Sequence, residues 1–115
     1  MLTREQILGA SDRKVEPVDC PEWGGAVCVR SLSGAERDSL ELSVTAAFKV
    51  GGTAVNARAR FAAAFLCDEK GGALFTEADV VALGEKNAAA LERVWNAGQR
   101  LNAIGDAAIE ALAKN

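Results

Sequence analysis

From Leu91 onward the apolar residues fall into a single stripe. Leu91, Val94, Trp95, Leu101, Ala108 and Leu112 each lie three, four or seven positions from another member of the set. Glu92, Arg93, Asn96, Gln99 and Arg100 take the complementary positions. An α-helix turns once in about 3.6 residues, so this spacing gathers the apolar side chains on one face. The spacing predicts a strongly amphipathic helix through the carboxy-terminal third, bent or broken near Gly105. Whatever the rest of the chain folds into must cover that stripe. If the stripe is wider than one domain can cover, the remainder becomes a face for a partner or a second copy.

The elements that precede it are marked by turn and cap chemistry. Thr3 with Gln6 has the pattern of a capping box, which opens a short helix ending near Gly9. Lys14 to Asp19 alternates charged and apolar residues around Pro17, which restricts this strand to a sheet edge. Ala26 to Arg30 alternates again, with Val27 and Val29 on one face and Cys28 and Arg30 on the other. Between them stands Pro21-Glu22-Trp23-Gly24-Gly25, so residues 14–30 read as a β-hairpin. Ser33 with Glu36 forms a second capping box, and Leu40, Val44, Ala47 and Phe48 follow on one helical face until Gly51-Gly52 stops it. A third, alanine-rich helix runs from Asn56 to Leu66, with Phe61, Ala62, Phe65 and Leu66 inward. Asp68 to Gly72 is a polar turn, and Thr76 with Asp79 caps a short helix ending at Gly84. The fold class is therefore α+β and mostly α-helical. An amino-terminal hairpin (14–30) precedes a small helical bundle (33–115), in one domain spanning 1–115.

A chain of 115 residues buries roughly two thirds of its unfolded surface, enough for one core. That core should be thin, because the apolar half is rich in alanine and holds only four Phe, two Trp and no Tyr. The net charge of −3 lacks the basic excess of a nucleic-acid binder. Lys49, Arg58 and Arg60 form the only basic patch, and a solvated helix face explains them better than phosphate contact. Val44 to Cys67 is the longest weakly polar stretch, but Lys49, Arg58 and Arg60 interrupt it, so no membrane span is expected. The amino terminus carries charge where a signal peptide is apolar, which points to the cytoplasm.

Catalytic chemistry has little to work with. Histidine is absent, which removes the commonest general base and every imidazole triad. Asp68-Glu69, the densest acidic spot, reads as a solvated turn. Gly51-Gly52-Thr53 lacks the spacing of a phosphate loop. With three cysteines and no histidine, a zinc site has too few ligands. Cys20 and Cys28 flank the hairpin turn, where oxidation would let them pair, yet an odd count without an export signal reads as reduced thiols. No catalytic residue, cofactor or metal is therefore expected. Candidate partner or oligomer contacts are Trp23, Leu91, Val94, Trp95 and Leu101. Trp23, at the hairpin tip, either folds back over Val27 or a helix or is offered to a partner, where tryptophan is enriched among hot spots. Trp95 is either core or partner face.

Three passages share a pattern. Pro21 to Arg37 reads PEWGGAVCVRSLSGAER, Leu66 to Thr76 reads LCDEKGGALFT, and Leu91 to Asn102 holds LERVW followed by RLN. In this order and spacing they resemble the small tail assembly chaperones of long-tailed bacteriophages. Those proteins have a tryptophan-glycine hairpin, a "v-R-x-L-x-G-x-E-R" passage into a helix and a "D-x-x-G-x-x-L-F" turn. The resemblance implies a non-enzymatic protein of the host cytoplasm, absent from the mature virion. It implies binding of the tape measure protein, contact with the tail tube protein as it assembles, and self-association. It also implies a longer frameshifted form, for which Ala113-Lys114-Asn115 permits a slippery codon choice. The rival readings are a structural virion protein (a head–tail connector or tail completion subunit) and a small transcriptional regulator.

Overall fold

Thr3 begins the fold as the sequence predicts. Its hydroxyl accepts the Gln6 N–H at 3.3 Å, the Gln6 side chain accepts the Thr3 N–H at 2.9 Å, and helix α1 runs Arg4–Leu8. The computed structural model describes residues 1–51 and 56–104. Strand β1 (Val15–Cys20) and strand β2 (Gly25–Arg30) pair antiparallel, Val15 opposite Arg30 and Cys20 opposite Gly25. A 3₁₀ turn, Pro21–Trp23, connects them. The chain reverses at Gly24, whose φ of +81° suits a residue without a β-carbon. Pro17 stands opposite Cys28 in β1, an edge strand, where a residue without an N–H is tolerated.

Helix α2 (Gly34–Gly51) opens on the second capping box: Ser33 Oγ accepts the Glu36 N–H at 3.1 Å and Glu36 Oε1 accepts the Ser33 N–H at 2.8 Å. Helix α3 (Ala57–Phe65) buries Ala59, Phe61, Ala62, Ala63 and Phe65. Thr76 and Asp79 form the third capping box; a 3₁₀ turn there leads into helix α4 (Val80–Gly84). Helix α5 (Ala88–Asn102) starts where Asn87 Oδ1 accepts the Ala90 N–H at 3.1 Å. The core joins Val29 of the sheet to Val44, Phe61, Phe65 and Val94 of the helices. The architecture is α+β and mostly helical, with the hairpin leading.

Two expectations need correction. Leu66 caps α3 but is not its last helical residue. Leu66–Cys67 form a third strand, β3, antiparallel to β2, so the hairpin is two strands of a three-stranded sheet ordered β1-β2-β3. The helix stops where Leu66 turns extended at ψ 130°, and Arg30 Nε donates to the Ala64 carbonyl left open in its last turn at 3.0 Å. Cys20 and Cys28 do not face each other either: Cys20 lies opposite Gly25, and Cys28 lies between Pro17 and Cys67. Helix α5 ends at Asn102, where Ala103 takes a left-handed φ of +54°. The bend expected near Gly105 lies outside the described residues, as do Ala108, Leu112, Ala113 to Asn115, and Gly52.

Candidate functional site

The residues of the "R-x-L-x-G-x-E-R" passage build a junction rather than a surface. Arg30 is 8% exposed, and its guanidinium donates to the Ala64 and Gly71 carbonyls and to Glu36 Oε2 at 3.0, 3.1 and 2.8 Å. One cation thereby ties β2 to the start of α2, the end of α3 and the turn before Ala73. Burial pushes the Glu36 carboxyl up, but the Ser33 N–H and the charges of Arg30 and Arg13 outweigh it and hold the group below the usual range. Asn102 closes the junction from α5: its Oδ1 accepts the Leu32 N–H at 2.6 Å and its Nδ2 donates to the Gly98 carbonyl at 2.9 Å. In the "D-x-x-G" turn, Asp68 Oδ1 accepts the N–H groups of Lys70 and Gly72 at 2.8 and 2.9 Å. Each of these hydrogen bonds uses a motif residue to hold the fold together.

The predicted contact residues do not form one face. Leu91 and Val94 are 4% and 0% exposed, which corrects their expected partner role: both are covered within the same chain, where α5 packs on α3 and the sheet. Gly98, on the same side of α5, lets the Phe65 ring approach where a β-carbon would lie 2.1 Å from it. Trp95 is partly buried, its ring 4.6 Å from that of Phe61 and the Arg58 guanidinium 5.9 Å above it. Leu101 is partly buried beside a hollow that includes Arg13, Ser33 and Arg37. Arg60 bonds Ser43 and Glu77, so the described part of the basic patch is divided between a tryptophan and a carboxylate.

Trp23 reaches an apolar recess. It folds back beside Val27, and with Leu66, Leu74, Phe75 and Leu83 it lines a groove of about 550 Å³ between the hairpin tip and α4. Sequence reasoning did not find Leu74, Phe75 or Leu83 as members of this site. Leu74 stands at its edge with 53% of its surface exposed. Glu22, Asp79 and Lys86 stand at the rim. Glu22 receives both terminal nitrogens of Arg93, one at 2.7 Å, and these hydrogen bonds hold its carboxyl low and raise the guanidinium. The pair fastens the hairpin tip to α5 and leaves an apolar groove between a carboxylate and an ammonium. A second uncovered surface lies on α1, which buries no residue and leaves Leu2, Ile7 and Leu8 at 74%, 58% and 69% exposure.

Among the described residues no three His, Cys, Asp or Glu side chains gather as metal ligands, and no helix is long and apolar enough to cross a membrane. No protein-family model, curated protein or solved structure matches the chain.

Proposed function

We propose that this protein is a phage tail assembly chaperone that binds the tape measure protein in the host cytoplasm while the tail tube assembles around it. The observation that carries the reading is the apolar groove beside Trp23, built from the hairpin tip and the Leu74-Phe75 turn, two of the passages that resemble that family. A groove with aromatic and branched walls takes the apolar anchors of an amphipathic helix, spaced at i, i+3 or i+4. Asp79 and Lys86, one charge of each sign at the rim, suit the mixed polar flanks of such a helix. A tape measure is a long helix that aggregates when its apolar side is bare. Modest contacts repeated along it by many copies hold it soluble and still release it. The uncovered apolar residues of α1 supply surface for contact between those copies.

A transcriptional regulator is less well supported. The outer face of α5 is the natural recognition surface, but Arg93 and Arg100 on it are engaged by Glu22 and Glu16. The test is co-expression of the tape measure protein with and without this chain. A larger soluble fraction in its presence is expected; equal solubility in both overturns the reading. Mass spectrometry of purified virions separates it from a structural component, which would remain in the particle.

A further inference from the structure

The antiparallel register of β2 and β3 sets Cys28 directly opposite Cys67, with Val29 opposite Leu66. Opposed residues on neighbouring strands send their side chains from the same face of the sheet. Cys20 is on the other face of β1, two positions from Val18 and opposite Gly25. The spacing of the opposed pair follows from the hydrogen bonds beyond it. The Asp68 N–H donates to the Gly72 carbonyl at 2.8 Å and the Leu74 N–H to the Leu66 carbonyl at 3.4 Å, flanking the Cys67–Ala73 bridge. Cys67 therefore turns its own N–H and C=O away from Ala73 and toward β2. That makes Cys28 and Cys67 a hydrogen-bonded pair, whose α-carbons stand about 5.5 Å apart. Disulfides span α-carbons about 4.4–6.8 Å apart.

We propose that Cys28 and Cys67 are a reversible dithiol–disulfide site, closed by a small-molecule disulfide of the oxidised-glutathione class. Cys28 is half-buried and Cys67 only 2% exposed, so Cys28 meets the oxidant first. Its thiolate attacks one glutathione sulfur, forms a mixed disulfide and releases the other half as a thiol. The Cys67 sulfur, on losing its proton, attacks the Cys28 sulfur and releases the second glutathione thiol. The chain loses two protons and two electrons, and one glutathione disulfide takes them up to become two thiols. Burial pushes the Cys67 thiol up and persists once Cys28 carries the mixed disulfide, which makes this second step the slower one. In a hydrogen-bonded pair the β-carbons stand farther apart than the roughly 3.8 Å a relaxed disulfide prefers, so the bond is readily reduced. It would close the loop that carries α2 and α3 and pin β3, whose Leu66 lines the groove.

The full chain is incubated with oxidised glutathione, remaining thiols are alkylated, and the intact and unreduced digested protein are weighed by mass spectrometry. The expected product is a monomer lighter by two hydrogens, with a peptide linking Cys28 to Cys67, and dithiothreitol reverses it. The link persists in Cys20→Ala and is lost in Cys28→Ser, a half-buried position that spares the buried Cys67. A stable glutathione adduct on Cys28 without the internal link overturns the proposal. So does a link that uses Cys20, or one that joins two chains.

Discussion

Asn102, the last residue of α5, accepts the backbone N–H of Leu32 at 2.6 Å across 70 positions of sequence. The same side chain donates to the Arg30 carbonyl at 3.3 Å and to Gly98, its own helix, at 2.9 Å. One amide thus joins the carboxy-terminal helix to the link between β2 and α2. Asn102→Ala takes the acceptor from the Leu32 N–H and the donor from the Arg30 and Gly98 carbonyls, which costs about 2 kcal/mol. Asn102→Asp keeps the acceptor for Leu32 and loses both donors, so it falls between the two. Urea unfolding of the three proteins checks the order.

Glu36 supplies the pH response. Its folded-state pKa lies below the ordinary glutamate range, because the Ser33 N–H and the cations of Arg30 and Arg13 outweigh its burial. The stability it contributes is therefore fully present above the unfolded value and lost as pH falls through the lower folded value. Glu36→Gln keeps a side-chain oxygen for Ser33 but no charge for Arg30. It should lower stability at neutral pH and flatten the decline on acidification, followed by thermal melts across the acid range. Arg30→Met is expected to cost more, about 2–4 kcal/mol, since the Ala64 and Gly71 carbonyls also lose their donor.

Gly98 sets the distance between α3 and α5. A β-carbon there would sit 2.1 Å from Phe65 Cδ2, and Phe65 is wholly buried, so its ring has nowhere to go. Alanine favours a helix over glycine by about 1 kcal/mol. Here overpacking reverses the sign, and Gly98→Ala should destabilise by about 1–3 kcal/mol. The double variant with Phe65→Leu should recover part of that loss, measured by denaturant midpoint, because the smaller side chain admits the methyl group.

What the sequence makes legible is what its local chemistry determines. Thr3/Gln6, Ser33/Glu36 and Thr76/Asp79 each place a cap three residues from its partner, and all three boxes form. Pro17 and the Gly24 turn likewise place β1 and β2. The third strand is different: Leu66-Cys67 follows an alanine-rich helix with no alternation of its own, and Arg30, which bonds the last turn of that helix, lies 34 positions before Ala64. Periodicity shows that Leu91 and Val94 share a face, but not that Phe61 and Phe65 cover it. For the same reason Trp23 was legible as a candidate, while Leu74, Phe75 and Leu83, which complete its groove, come from distant turns and carry no local mark.

The groove reading is tested at its edge. Leu74 lines it and is 53% exposed, so Leu74→Asp places a charge on the partner surface while losing little buried area. Leu42, 73% exposed on α2 and outside the groove, gives the matching control in Leu42→Asp. Both variants should melt close to the parent protein, since solvent-exposed substitutions away from caps and core shift stability by about 0.5 kcal/mol or less. Binding should separate them. A carboxylate driven against an apolar helix face costs about 1.4 kcal/mol or more, a tenfold loss of affinity. In co-expression, Leu74→Asp is expected to leave the tape measure protein insoluble where Leu42→Asp keeps it soluble. Equal solubilisation by both would place the binding surface elsewhere, with the exposed apolar residues of α1 the next to be changed.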